Sequence, residues 1–259
     1  MNKKMGHLFL AFLPAFVCLT TQVFVSVLWQ EAMNFGWVHN PSGSVLAYQI
    51  LGLIVFGLWY YLDLSKDTVS EEKHTFKVKT VVRMAVVSVT GGMIMCFLGN
   101  GLLGMEQFIF PGLFQDYVEM MENAGMGVNL YAIAASVLFA PLGEELLCRG
   151  ITLNYAQKAF SHFAVANILQ AFLFALIHLN FIQGLYAFAI GLFLGFLRYR
   201  YDSLIPCMLL HFTVNFSSVF FFDRILSVFP NTLVSYTLMF LLALAATGLL
   251  MAVSKNKKQ

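Results

Sequence analysis

Six polar side chains of this 259-residue chain fall in or beside long apolar stretches and could together carry out chemistry. They are Glu144, Glu145, Arg149, His178, His211 and Asn215. Because an ionisable group inside a bilayer is costly, each such group is by default a functional-site hypothesis. Carboxylates and imidazoles exchange protons and a carboxamide can donate to an oxyanion, so the set is suited to acid–base chemistry.

The first group lies in the segment Pro141-Leu-Gly-Glu-Glu-Leu-Leu-Cys-Arg149. On a helix, Glu145 and Arg149 share one face, four residues apart and in the favourable order for an ion pair. Glu144 points about 100° away and lacks that partner, so it could take a proton from water. The alternative is that all three side chains lie among the lipid headgroups and only end a membrane span.

The other two groups show the same spacing. Phe174 precedes His178 by four residues and His211 precedes Asn215 by four, so each pair lies on one face of a helix. A structural role is the alternative, since His and Asn also form hydrogen bonds between membrane helices. If all three groups converge, they could activate water and stabilise a tetrahedral intermediate, which is what amide hydrolysis requires.

The composition predicts that membrane helices position these groups. Hydrophobic residues make up 59% of the chain and charged residues 11%, against about 25% charged residues in a soluble domain. These charges are too few to cover a water-facing surface, and no basic run indicates nucleic-acid binding. The four cysteines stand singly in apolar stretches, so we expect neither a disulfide framework nor a cysteine-bound metal.

Eight apolar stretches predict membrane spans, each of which needs about 20 residues to cross the hydrocarbon core. They are Leu8–Trp29, Val45–Leu64, Val81–Leu103, Val128–Leu147, Phe163–Leu179, the short Leu185–Leu197, Leu204–Phe222 and Thr232–Val253. The first stretch is too long for the hydrophobic region of a signal peptide, so we expect it to be retained. The predicted fold class is an all-α, polytopic membrane helix bundle of about eight transmembrane helices, forming a single domain over residues 1–259.

The basic residues predict the orientation. With the N-terminus in the cytosol, 14 of the 15 Lys and Arg residues fall on the cytosolic side and Arg224 alone falls outside. The cytosolic set is Lys3, Lys4, Lys66, Lys73, Lys77, Lys79, Arg83, Arg149, Lys158, Arg198, Arg200, Lys255, Lys257 and Lys258. Because cytosolic loops are enriched in Lys and Arg, we predict an integral cell-membrane protein with both termini cytosolic. The predicted outer loop Gly104–Gly127 carries acidic charges only, and Ser65–Thr80 is predicted to be a solvated cytosolic loop.

At these residues the sequence resembles the CAAX-protease and bacteriocin-processing family of intramembrane proteases (CPBP, also called Abi), which includes the type II CAAX prenyl endopeptidases. Three motifs carry the resemblance: Glu144-Glu145-x-x-x-Arg149, Phe174-x-x-x-His178 and His211-x-x-x-Asn215. All three are intact, in order and on separate predicted spans. They cover about Val128 to Phe222, a catalytic core within the membrane domain.

The resemblance implies an intramembrane endopeptidase in which each group has a role. Glu144, helped by His178, would activate the attacking water. His211 and Asn215 would hold the oxyanion.

The remaining roles and the cofactor also follow from the resemblance. Glu145 and Arg149 would orient the site. The family is commonly classed as metal-dependent, and Glu144, His178 and His211 could ligate a zinc ion with water in the fourth position. The chain contains no H-E-x-x-H pair, and we favour metal-free hydrolysis with zinc as the alternative.

The implied partners are the lipid bilayer and a membrane-embedded protein or peptide substrate. Members of the family clip prenylated C-a-a-X proteins or are linked to bacteriocin immunity, peptide-pheromone maturation and surface-protein display. Two other functions stay open: a non-catalytic scaffold that regulates a partner such as a sensor kinase, and an ion-coupled transporter, since proton relays also use Glu and His. The sequence shows neither the inverted repeats nor the paired broken helices typical of transporters.

The depth of the site is unresolved in this layout. At 1.5 Å per residue, Glu144 lies near the cytosolic end of its predicted span, whereas His178 lies about 22 Å from Phe163. For the two side chains to meet, the fourth span must run deeper, or the fifth must start later or tilt. The segment Gly150–His162, predicted to be cytosolic, could instead dip into the membrane.

Overall fold

The computed structural model describes residues 3–64, 77–126, 128–221, 224, 226–227 and 229–254. Parts of several predictions lie outside these residues: most of the loop Ser65–Thr80 with Lys66 and Lys73, the end of the seventh span at Phe222, and Lys255, Lys257 and Lys258. Within the described ranges the chain is almost entirely helical and forms no β-strand.

Nine main helices, numbered here in chain order, make up the described part of the chain. They are α1 (Lys3–Asn34), α2 (Gly43–Trp59, continued by a π turn at Tyr60–Leu64), α3 (Val78–Ile109), α4 (Pro111–Asn123), α5 (Leu130–Ala159), α6 (Phe163–Leu176), α7 (Phe181–Tyr201), α8 (Ile205–Phe220) and α9 (Leu233–Ser254). Six of these helices, α1, α2, α3, α5, α7 and α9, are long and apolar enough to cross a membrane. The predicted all-α, polytopic membrane bundle is therefore confirmed.

The predicted number of eight spans is not confirmed. The helices α6 and α8 have 14 and 16 residues, so they extend about 21 and 24 Å against a hydrocarbon core of about 30 Å. The stretch Leu185–Leu197, predicted to be short, lies within the 21-residue α7. The predicted loop Gly104–Gly127 contains α4, which begins at Pro111, a residue favoured in the first turn of a helix.

The largest departure from the sequence prediction is in α5. The sequence predicts an end at Leu147 because Arg149 and Lys158 are typical of a cytosolic loop, whereas the helix continues to Ala159. The prediction fails because Glu145 neutralises Arg149 inside the bundle. Two π turns, Ala135–Phe139 and Leu146–Thr152, flank the short α-helical segment that carries Glu144.

The longer α5 removes the predicted mismatch between the positions of Glu144 and His178 along the bundle. Glu144 is close to the middle of the 30-residue helix, about 22 Å from Ala159 at 1.5 Å per residue. The next helix starts at Phe163, and His178 lies about 22 Å from that start. The two side chains therefore lie at similar distances from the α5–α6 connection, because α5 runs further than predicted, and both line one cavity.

Small residues allow α6 and α7 to pack closely. A Cβ atom added to Gly191 would lie 3.1 Å from the Ala171 Cβ, and one added to Gly195 would lie 1.8 Å from the Asn167 Oδ1. Small residues commonly allow such close approach of membrane helices. The turn between α6 and α7 contains Leu179 with a φ of 52°, an uncommon conformation for a bulky residue.

Two arginines join the ends of three helices. Arg83 at the start of α3 donates to the Val253 carbonyl over 2.9 Å, and Arg200 at the end of α7 donates to the Ser254 carbonyl over 2.9 Å. Cations near the C-terminus of a helix are favoured by its dipole. The start of α3 and the ends of α7 and α9 therefore lie at one end of the bundle, the arrangement that the predicted topology requires.

Candidate active site

A cavity of about 360 Å³ is lined by residues of the helices α1 to α8 and of the turn that follows α6. Its wall includes four of the side chains selected from the sequence: Glu144, His178, His211 and Asn215. They come from α5, the α6–α7 turn and α8. Residues far apart in the chain thus meet in one internal space that is large enough for part of a peptide.

Glu145 and Arg149 lie behind the cavity wall rather than in it. The Arg149 Nη1 donates to the Glu145 Oε1 over 2.9 Å, and the two residues are 0% and 1% exposed. Arg149 also donates to the Gly191 carbonyl of α7 over 3.1 Å. The ion pair that the spacing predicts is present, and it is buried between helices. Arg149, which the charge pattern places on the cytosolic side, is buried inside the bundle, where Glu145 compensates its charge.

His211 connects the two glutamates. Its Nδ1 lies 2.8 Å from the Glu145 Oε1, and its Nε2 lies 3.9 Å from the Glu144 Oε2. A carboxylate only accepts hydrogen bonds, so Nδ1 carries the proton in the first contact. The buried ion pair therefore fixes the ring of His211, while Nε2 is directed toward Glu144.

Phe174 packs against three of the polar groups. The guanidinium carbon of Arg149 lies 4.5 Å from the centre of the Phe174 ring, a cation–π distance. The rings of His178 and His211 meet the same ring edge-to-face, at 5.0 and 5.7 Å between centres. The aromatic position of the second motif thus supports both imidazoles.

The local backbone sets the orientation of His178. Its Nδ1 lies 2.7 Å from the Phe174 carbonyl, which only accepts, so Nδ1 is the donor. In the neutral ring this leaves the lone pair on Nε2. Asn180 ends the turn by accepting from the Gln183 N–H over 3.0 Å, which is the N-cap of α7.

Asn215 is held by a carbonyl that the helix itself does not use. In a π turn each carbonyl accepts from the backbone N–H five residues later. For Ser136 that residue is Pro141, which has no backbone N–H. The Ser136 carbonyl instead accepts from the Asn215 Nδ2 over 2.7 Å. One amide proton of Asn215 is therefore engaged with α5, and the second is available to a group in the cavity.

Sequence reasoning missed Gln49, a further polar contact of Glu144. Its Nε2 donates to the Glu144 Oε1 over 3.0 Å, and the residue is 8% exposed. Gln49 lies on α2, far in sequence from the three motifs. An amide within an apolar run was the available signal, because such groups in membrane helices usually have a partner.

The helix α4 covers the far side of the cavity. Tyr117, Met120 and Met121 of this helix line it, and the hydroxyl of Tyr117 lies 3.3 Å from that of Tyr186. Burial raises the pKa of Tyr117, so its hydroxyl stays protonated at neutral pH. This wall of the cavity is consequently uncharged and rich in flexible, apolar methionine side chains.

The side chains proposed as zinc ligands do not form a ligand cluster. Among the described residues, no three His, Cys, Asp or Glu side chains are grouped so as to hold a metal ion. The set Glu144, His178 and His211 therefore does not fit a zinc site in this conformation, and the chemistry below is derived from the side chains alone.

Comparison with known proteins identifies one family. Residues 126–217 match the family model described as type II CAAX prenyl endopeptidase Rce1-like. The match covers 92 of the 259 residues, includes all three motifs and agrees with the family resemblance that they predict. No curated protein and no solved structure matches the chain significantly.

Proposed function

We propose that this protein, whose residues 126–217 match the family model described as type II CAAX prenyl endopeptidase Rce1-like, hydrolyses peptide bonds of a membrane-associated protein or peptide with a water molecule that Glu144 activates. The family supports intramembrane protease activity in general. The roles of individual residues are our proposal, and they rest on the geometry of the cavity.

One observation carries the proposal: the two adjacent glutamates have different environments. Glu145 is fully buried and paired with Arg149, whereas the side chain of Glu144 is 14% exposed and lines the cavity. A general base must reach the water from which it takes a proton. Of the two carboxylates, Glu144 meets this condition.

The reaction would proceed by attack of water on the scissile carbonyl. Glu144 would accept one proton from the water, and the Nε2 of His178 would orient the water by accepting its second hydrogen. The new C–O bond would form as the carbonyl π electrons move to oxygen. Collapse of the intermediate would break the C–N bond, with the proton held by Glu144 passing to the leaving nitrogen.

The oxyanion would be held by His211 and Asn215. The second amide proton of Asn215 is available to the cavity. Because the His211 Nδ1–H already donates to Glu145, the His211 Nε2 would donate to the oxyanion with the ring protonated on both nitrogens. Preorganised donors of this kind act strongly in a site shielded from bulk water. Glu145 and Arg149 would keep His211 in place through its Nδ1, which makes them positioning residues.

The family's metal dependence is not part of this proposal, because the candidate ligands do not fit a metal site. The substrate would reach the cavity from the bilayer, and the charge pattern supports an orientation with both termini in the cytosol. We take residues 128–222 as the catalytic core of a single membrane domain.

The proposal is tested with purified protein in detergent and a library of membrane peptides, with cleavage read by mass spectrometry. The variants are Glu144→Ala and His211→Ala, and the matched controls are Glu31→Ala and His162→Ala, at exposed residues on α1 and just before α6. We expect cleavage by the wild type and both controls, and none by the two site variants. Cleavage that survives in Glu144→Ala would contradict the proposal.

A wild type that cuts no peptide would direct the test to cells. The same variants would then be compared for the phenotype that deletion of the gene produces. A phenotype that Glu144→Ala and His211→Ala both rescue would overturn the catalytic proposal and favour the regulatory scaffold.

A further inference from the structure

The contact between Gln49 and Glu144 joins α2 to the active site. We infer that Gln49 is a positioning residue that fixes the Glu144 carboxylate for its reaction with water. The inference rests on the proposed role of Glu144 and adds a residue from outside the segment 126–217 that the family match covers. It also gives α2 a function beyond enclosing the core.

The composition of α2 makes this contact informative. Gln49 is the only residue with an amide or charged side chain in the sequence of Gly43–Trp59. A buried amide is costly unless it is hydrogen-bonded, and the 3.0 Å bond from Nε2 to a carboxylate oxygen satisfies one of its donors. Hydrogen bonds to an ionised acceptor are stronger than those between neutral groups. The amide is thus matched to the charged form of Glu144.

The contact assigns different partners to the two oxygens of Glu144. Oε1 accepts from Gln49, while Oε2 lies 3.9 Å from the His211 Nε2. A separation of that size is longer than a direct hydrogen bond and suits a bridging water. Because Gln49 holds Oε1, rotation of the carboxylate is restricted and Oε2 remains at the position where water would be activated.

A second, smaller cavity lies next to the hydrogen bond between Gln49 and Glu144. It has a volume of about 20 Å³, and its lining adds Cys18, Gly52 and Leu147, which do not line the larger cavity. Both cavities are lined by Gln49 and Glu144. Without the amide, the Glu144 carboxylate could turn toward the smaller cavity and away from the peptide.

The test compares replacements of Gln49, using the membrane peptide that the wild type cuts fastest. Gln49→Leu and Gln49→Met remove the donor with little change in size, and Gln49→Glu places a like charge beside Glu144. We expect kcat to fall about 10- to 100-fold in the first two, as for other supporting hydrogen bonds, and further in Gln49→Glu. KM should stay unchanged. The control, Gln30→Leu at an exposed position of α1, should keep the wild-type kcat.

A structural role gives a different result. Gln49→Leu and Gln49→Met would then lower Tm while the folded fraction keeps the wild-type kcat, and this outcome overturns the inference. So does a raised KM with unchanged kcat, because it would place Gln49 in substrate binding.

If the wild type cuts no peptide and both site variants rescue the cellular phenotype, the proposed function has failed, and the contact is then tested without activity. Tm is measured for Gln49→Leu, Glu144→Gln and the double variant. Coupled residues show non-additive effects, so additive changes in Tm overturn the inference and a non-additive result supports the contact.

Discussion

Two layers of polar residues meet at His211, and they differ in what compensates their charge. The buried layer consists of Glu145, Arg149 and the α7 carbonyl of Gly191, joined by hydrogen bonds of 2.9 and 3.1 Å. Glu145 contacts Arg149 and His211 through Oε1, and Arg149 contacts Glu145 and the Gly191 carbonyl, while Glu145 Oε2 and Arg149 Nε have no hydrogen-bond partner among the described residues. This layer therefore has the character of a structural support, which can hold ions inside a membrane because it pairs them.

The cavity wall is the other layer, with Glu144, His178 and Asn215. Here the Glu144 carboxylate has an amide and a distant imidazole as partners, and part of its surface remains open. The comparison shows that adjacent glutamates on one helix take different tasks according to which face they occupy. Variants that change one layer at a time should therefore separate the residues that stabilise the fold from those that act on substrate.

The largest effect is expected from Arg149→Met, which breaks the buried layer. Glu145 is left as an uncompensated buried carboxylate, which typically destabilises a protein by about 3–5 kcal/mol. Chemical unfolding in detergent measures the change. Adding Glu145→Leu should recover a large part of the loss, because both charges are then gone. Equal destabilisation in the single and double variants would show that the pair does not act as described.

Removal of an oxyanion donor should affect the cavity wall alone. Asn215→Leu is expected to lower kcat about 100- to 1000-fold, the usual cost of one such donor, with a small change in KM. Steady-state kinetics on a cleaved peptide provide the measurement. The exposed Asn231→Leu serves as the control and should keep the wild-type rate. A normal kcat in Asn215→Leu would restrict Asn215 to holding the Ser136 carbonyl.

The packing of α6 against α7 can be changed by a substitution that alters no charged residue. Gly195→Ala would place a Cβ 1.8 Å from the Asn167 Oδ1, and overpacking of this kind costs about 1–3 kcal/mol. Gly184→Ala on the same helix is the control, since its Cβ would lie at an ordinary 3.6 Å from the nearest atom. The difference in Tm between the two variants measures the effect, and equal values would contradict it.

No effect is expected from metal chelation. The described side chains of the cavity wall do not form a metal-ligand group, so a strong chelator should leave the cleavage rate unchanged. Loss of activity that zinc restores would overturn the metal-free proposal and would imply that Glu144, His178 and His211 come together in another conformation.

The sequence was sufficient for the three motifs and the helical membrane class, because an isolated Glu, His or Arg in an apolar run is visible without a structure. The end of α5 was not predictable from local composition, since Arg149 is typical of a loop until its partner is considered. The contact of Gln49 with Glu144 spans 95 residues and depends on how α2 packs. The hydrogen bond from Asn215 to the Ser136 carbonyl depends on a π turn followed by Pro141, and helical periodicity in the sequence does not indicate this combination.

The most direct test of the central claim is Glu144→Gln, which removes the base and keeps the shape of the side chain. Peptide binding, cleavage and Tm are measured together on the purified variant. We predict that the peptide binds with near-wild-type affinity and remains uncut, with kcat lower by about 100- to 10,000-fold, while Tm changes little. Cleavage at the wild-type rate would contradict the assignment of Glu144 as the base that activates water.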